Sequence, residues 1–278
     1  MEPMAIGVFT NSVHPSNPKE LFERLAQFDL KVVQLAFIDP AWREPSVVDQ
    51  IERLLESSGV EVQATFFGFP DEDYSSIPAI RETGGFVTDF EGRLAAVRQI
   101  IEISARLGIG AIGGHAGFIP EDRDDPMYAT MIGRIGQVAD EMKAAGLQLL
   151  LETGQETPEG LLQVLSDLGR DNVAVNFDPA NMLLYGMAEP VEAVRKIGSH
   201  IASVHAKDGT ASGERDVWGR EMLLGKGAVD YPCFLRTLRE VGFTGPLIIE
   251  CEIPDSDPAQ TIPHARDRLR TWLAQLGD

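Results

Sequence analysis

Eight short apolar runs alternate with amphipathic stretches from one end of the chain to the other, and no other feature constrains the fold as tightly. The runs are Ala5–Phe9, Val32–Ala36, Val60–Phe66, Ile109–Gly113, Leu147–Leu151, Val173–Phe177, Ile201–Val204 and Leu247–Ile249. They are nearly uninterrupted in Val, Ile, Leu, Ala and Phe, the pattern of parallel strands buried on both faces. Between them lie stretches with helical spacing, including Pro18–Phe28, Val47–Ser58, Phe90–Leu107, Met127–Ala145, Pro158–Leu168, Pro190–Ile197, Tyr231–Val241 and Pro258–Leu276. Asp89 and the pair Thr157-Pro158 read as helix starts. Gly59, Gly108, Gly146 and Gly242 read as helix ends. Parallel strands need crossover helices. Eight strand–helix units are what a closed (β/α)8 barrel requires, and 278 residues suits the roughly 250 of one such domain. The expected fold is therefore an α/β (β/α)8 barrel, with residues 1–278 forming a single domain. An open doubly wound sheet is the rival, but it carries a Gly-rich first turn, and the first turn here is TNSVHPSNP.

Two insertions break the rhythm, Gly68–Thr88 and Asp208–Val229. Both follow strand C-termini, the face on which barrel active sites lie. They are expected to serve as lids or as contacts of a homo-oligomer.

Composition narrows the partners. Asp and Glu number 43 against 24 Lys and Arg, for a formal net charge of −19. Such a surface repels phosphate backbones, so nucleic acid is not expected as a partner. Cys233 and Cys251 form no metal-ligand spacing and point to a reducing compartment. The start MEPMAIGVFT does not read as a signal peptide, and no run approaches 18 apolar residues, so no membrane association is expected. A cytoplasmic protein is the expectation.

Four of the apolar runs end on a metal-ligating residue type. These are Glu152 in LQLLLETG, Asp178 in VAVNFDPAN, His205 in IASVHAKDG and Glu250 in PLIIECEIP. They close the fifth, sixth, seventh and eighth strands. Taken singly, each has an ordinary explanation as a loop carboxylate, a cap at Asp-Pro or a satisfied histidine. On consecutive strands of a barrel they form one arc. Three carboxylates and an imidazole favour one divalent ion, Mn²⁺, Mg²⁺ or Co²⁺, over a structural Zn²⁺, with Zn²⁺ still possible.

These motifs carry a resemblance. LLLETGQETPEGL, VNFDPANML, SVHAKD, LGKGAVDY and PLIIECE resemble the xylose isomerase-like barrel superfamily of sugar isomerases and epimerases, over all eight units. The resemblance implies that Glu152, Asp178, His205 and Glu250 hold the metal. It also implies that Glu152 and Glu250 flank a small carbohydrate substrate as acid and base. The implied reaction is isomerisation or epimerisation of a small keto sugar or cyclitol through an enediolate. Two alternatives stay open: a lyase or dehydratase of an inosose or 3-keto glycoside, and a non-catalytic sugar-binding barrel. Epimerases and DNA-repair members often carry His three residues after the Asp; here that residue is Asn181. The DNA-repair members need three zinc ions and many histidines, and this chain has five.

Further candidates surround the four. His115 in IGGHAGF ends the fourth strand, flanked by glycines that leave room for a ligand. Lys207 shares a strand face with His205 and can neutralise an oxyanion or a carboxylate. Glu156 is a hydroxyl-binding candidate whose ordinary role is to compensate a helix dipole. His14 follows the first strand, and Glu252 alternates onto the face of Glu250 and is expected to support it. Phe66, Phe67, Phe69 and Trp218 are candidate walls for a sugar face. Gly225-Lys226-Gly227 resembles a phosphate-cradling turn without the Ser or Thr of a P-loop.

Overall fold

The structure is a computed structural model and describes residues 4–277. Strands β1 (Ile6–Phe9), β2 (Val32–Ala36), β3 (Glu61–Phe66), β4 (Ala111–Gly114), β5 (Gln148–Glu152), β6 (Val173–Phe177) and β7 (Ile201–Ala206) run parallel. With β10 (Leu247–Ile249) they close a barrel. The remaining pair, β8 (Asp208–Thr210) and β9 (Arg220–Met222), form an antiparallel hairpin in the second insertion. Eight longer helices follow the barrel strands, from Pro18–Gln27 to Pro258–Leu276. The chain is therefore the (β/α)8 barrel expected from its alternation. Gly59, Gly108, Gly146 and Gly242 all have φ between 66° and 87°, the left-handed values that let a helix turn back into a strand.

Two layers of inward side chains fill the barrel. One is built from Ala64, Ala111, Leu150 and Ala174, and the other from Phe9, Ala36, Phe66 and Ile248. The outer faces of the strands pack on the helices through a larger apolar cluster. The register sets the site. Glu152 pairs with Asn176 across β5 and β6, and His205 pairs with Ile248 across β7 and β10. Because successive strand residues alternate in direction, Glu152 and His205 project inward above the small residues of the lower layer.

Three local details differ from the sequence reading. Asp89 sits at the N-cap of the helix Phe90–Arg106 in a left-handed conformation, φ 38°, and makes no side-chain cap bond. Asp178 opens an unexpected short helix, Pro179–Leu184, and caps it. The glycines beside His115 leave room for aromatic rings, not for a ligand. A Cβ on Gly113 would lie 2.3 Å from the Phe66 ring, and one on Gly114 would lie 2.6 Å from the Phe67 ring. Both cysteines are free thiols. Among the described residues, no helix is long and apolar enough to cross a membrane.

Candidate active site

Glu152 is the last residue of β5, Asp178 and Glu250 follow β6 and β10, and His205 lies one residue before the end of β7. One ligand atom from each lies within 4.8 Å of the other three, and all four residues are buried. His205 Nδ1 is 2.9 Å from Glu152 Oε1, 3.0 Å from Glu250 Oε2 and 4.0 Å from Asp178 Oδ2. Three carboxylates thus surround one ring nitrogen. Asp178 Oδ2 and Glu250 Oε2 have no hydrogen-bond partner although both are buried. Leaving such atoms bare is costly. Ligands at about 2.1 Å from one ion span up to about 4.2 Å between themselves, so a divalent cation would satisfy both orphaned oxygens with only a slight contraction. The four side chains can hold a metal ion.

Each ligand is oriented by its second atom. Asp178 Oδ1 accepts from the backbone N–H of Ala180 at 2.7 Å and of Asn181 at 3.0 Å, which aims Oδ2 into the cluster. His205 Nε2 lies 2.7 Å from Gln34 Oε1. The Gln34 amide nitrogen donates to Gln63 Oε1 at 2.8 Å, Ser203 Oγ at 3.0 Å and Asn176 Oδ1 at 3.4 Å. Those acceptors fix the amide with its oxygen toward His205. The imidazole therefore donates from Nε2 and presents Nδ1 to the cluster. Phe9 and Phe66 pack on the imidazole with ring centroids 5.5 and 5.4 Å away, which excludes water from its faces.

The electrostatics of the metal-free cluster reflect this crowding. Burial drives the Asp178 carboxyl well above its ordinary range. Burial also pushes Glu250 upward, but Lys207 and His205 outweigh it and hold that group below the usual carboxylate range. Burial disfavours the His205 cation, yet Glu250 and Glu152 raise its pKa well above the ordinary value. A dication would replace the protons that this cluster otherwise retains.

Above the cluster opens a cavity of about 380 Å³, within the size range of small-molecule sites. His115, Asn181 and Lys207 line it together with Glu152 and Glu250. His115 Nε2 lies 3.3 Å from Glu152 Oε2. The Asn181 amide donates to Glu152 Oε1 at 3.4 Å and to the Thr153 carbonyl at 3.2 Å. Lys207 is buried, 2.6 Å from Glu252 and 3.4 Å from Glu250 Oε2. Burial opposes its charge, but Glu250, Glu252 and Asp178 hold the ammonium well above its ordinary pKa. Phe66, Phe67 and Trp218 also line the cavity, whereas Phe69 packs behind them on Phe67 and Phe86.

Two candidates lie off this cavity. Glu156 lines a small void beneath His115 and Glu152, where burial pushes its carboxyl up to about 8. His14 is exposed on a shallower cavity with Thr10, Asp39 and Trp42. The Gly225-Lys226-Gly227 turn is already filled. Asp208 accepts from the N–H groups of Gly225 and Gly227, each at 2.9 Å.

Sequence reasoning missed the Gln34 network, although its signal was present. Gln34, Asn176 and Ser203 each interrupt an apolar strand, and an isolated polar residue there must find partners inside the barrel. Glu72, Tyr74 and Glu221, which the insertions bring to the cavity, carried no such mark. Burial pushes the Glu221 carboxyl up to about 7.

The closed (β/α)8 barrel carries its buried acidic and imidazole cluster at the C-terminal ends of its strands, the face on which barrel active sites lie. The family model described as the xylose isomerase-like TIM barrel matches residues 22–272, and the chain belongs to that family. It is similar to a xylose isomerase domain protein of Planctomyces limnophilus, at 33% identity over 99% of each chain with a TM-score of 0.90. An L-ribulose 3-epimerase shares the fold at 21% identity and a TM-score of 0.71, over 98% of this chain and 95% of that one. An L-ribulose-5-phosphate 3-epimerase of Escherichia coli is 35% identical over 79 residues, 28% of this chain and 26% of that protein. The chain spans 55% and 26% of the lengths of the curated relatives it matches.

Proposed function

We propose that this barrel is a divalent-metal-dependent isomerase or epimerase of a small keto sugar or cyclitol. The observation that carries the reading is the placement of Glu152 and Glu250 on either side of His205 Nδ1, at 2.9 and 3.0 Å, at the floor of the cavity. A divalent ion held by Glu152, Asp178, His205 and Glu250 would polarise a substrate carbonyl and stabilise the enediolate left when the α-proton departs. The two glutamates supply the proton transfers: one removes the α-proton and the other returns it. Asn181 and His115 hold Glu152 by its two oxygens, which fixes where that carboxylate meets the substrate. Lys207 lies beside Glu250 and is placed to neutralise charge that develops on a substrate oxygen. The whole of residues 1–278 acts as one domain in this reading, in a reducing cytoplasmic compartment.

A buried ammonium beside the base also favours a second reading. Lys207 can protonate the oxygen leaving from the carbon β to the carbonyl, a hydroxyl in an inosose or the glycosidic oxygen in a 3-keto glycoside, which would make the protein a dehydratase or lyase of such a compound. One experiment separates the readings. The Mn²⁺-loaded protein is incubated in D2O with ketoses, inososes and 3-keto glucosides, and NMR follows deuterium at the α-carbon and the product formed. Metal-dependent exchange with an epimer or isomer as product is expected. Loss of water, or of the aglycone alcohol from a glycoside, identifies the second reading, and neither exchange nor elimination with any compound contradicts both.

A further inference from the structure

We infer that the cavity takes an uncharged polyhydroxy ketone and rejects sugar phosphates. The inference names the substrate class of the site proposed above and rests on that reading. Two independent sets of observations carry it.

The first is charge. Glu72, Glu152, Glu221, Glu250 and Glu252 all line the cavity, and Asp178 lies directly behind them. Lys207 is the one Lys or Arg among the lining residues, and it is already engaged by Glu252 at 2.6 Å and Glu250 at 3.4 Å. Six carboxylates therefore face one ammonium, and a bound dication leaves the negative charges in excess. A phosphate dianion entering this space meets a net repulsive field in a partly dehydrated setting, where charges act strongly. No arginine fork, the usual means of holding a phosphate, is present in the lining.

The second is the backbone. Clustered backbone N–H groups are the other common seat for phosphate, and near this cavity the chain's own carboxylates occupy them. Asp208 takes the N–H groups of Gly209, Gly225, Gly227 and Val229 at 2.8 to 3.2 Å. Asp178 takes those of Ala180 and Asn181. Glu72 takes those of Phe69 at 3.1 Å and Gly85 at 2.7 Å.

What the cavity offers instead suits neutral hydroxyl groups. Phe9, Phe66, Tyr74, Tyr185 and Trp218 wall it, and aromatic faces accept the C–H face of a sugar. The carboxylates accept hydrogen bonds from hydroxyls, and a phosphate dianion has no proton to donate to them.

The test is titration calorimetry on the Mn²⁺-loaded full chain. The probes are non-reactive polyols, namely pentitols, hexitols and inositols, each paired with its own monophosphate. At least one neutral polyol is expected to bind at least tenfold more tightly than its phosphate. The ratio is expected to fall in a Glu72→Gln, Glu221→Gln double variant. A phosphate that binds as tightly as its parent polyol would overturn the inference, as would a failure of every polyol to bind the loaded protein. The D2O exchange experiment is run on the same preparation. Preference for polyols without any exchange would leave the substrate class standing and remove the isomerase reading. Exchange on phosphate esters alone would do the reverse.

Discussion

Gln34 Oε1 lies 2.7 Å from Nε2 of His205, so a glutamine on the second strand sets which ring nitrogen the seventh strand presents to the cluster. The three acceptors around the Gln34 amide nitrogen keep this orientation single-valued. Partners of this kind are worth about 10- to 100-fold in metal affinity. Gln34→Leu is therefore expected to weaken Mn²⁺ binding by about that factor, as measured by calorimetry. Gln34→Glu retains an acceptor and is expected to recover much of the loss. Unchanged affinity in Gln34→Leu would show that the ring needs no such support.

The acid–base pair has its own signature. Positioned general acids and bases contribute about 10²- to 10⁴-fold. Glu250→Gln and Glu152→Gln are each expected to slow α-proton exchange in D2O by at least about 10²-fold, measured at saturating Mn²⁺ so that weakened metal binding does not mask the effect. Full turnover in either variant would remove that glutamate from proton transfer.

Metal removal should act on stability as well as on activity. The Asp178 and Glu250 oxygens that lack a hydrogen bond would become ligands of a bound cation. Mn²⁺ at about 100 times its Kd is expected to stabilise the fold by roughly 2.7 kcal/mol, seen as a rise in Tm that a chelator reverses. Asp178→Asn keeps the cap to Ala180 and Asn181 but loses the anionic ligand. It is expected to fold and to show little of the Tm rise.

Glu156 gives a pH dependence of definite sign. Its folded pKa is raised to about 8 from an ordinary 4.5 by burial, so the native state holds a proton that the unfolded chain releases. Stability then falls as pH rises from about 4.5 to about 8 and levels off above. Glu156→Gln removes the titration. The variant is expected to match the parent near pH 4 and to exceed it by about 2–4 kcal/mol at pH 8 in urea unfolding. Glu221, raised to about 7, adds a smaller slope of the same sign in both proteins. Parallel stability curves for parent and variant would contradict the burial argument.

The barrel was legible because its strands are buried on both faces, so each leaves a largely apolar run that ends at the active face. The same logic exposed Glu152, Asp178, His205 and Glu250, since a charged residue at such an end stands out. Lys207 and Asn181 were reachable by short spacing from those four and His115 by its place at the end of the fourth strand, and all three line the cavity. Glu156, four residues after Glu152, and His14, which follows the first strand, do not line it: Glu156 lines a small void with His115, and His14 is exposed on a separate cavity. The helix Pro179–Leu184 and the hairpin of β8 with β9 were hidden in short segments whose conformation depends on tertiary contacts. Glu221 reaches the cavity only through that hairpin, so neither its sequence distance nor its neighbours announced the shared site.

The most direct test of the central claim is anomalous X-ray diffraction at the manganese edge from crystals grown with Mn²⁺. The expected result is one strong peak per chain, within bonding distance of Glu152, Asp178, Glu250 and Nδ1 of His205, with Nε2 still on Gln34. No peak at saturating Mn²⁺, or a peak that leaves two or more of these residues unbound, would contradict the account.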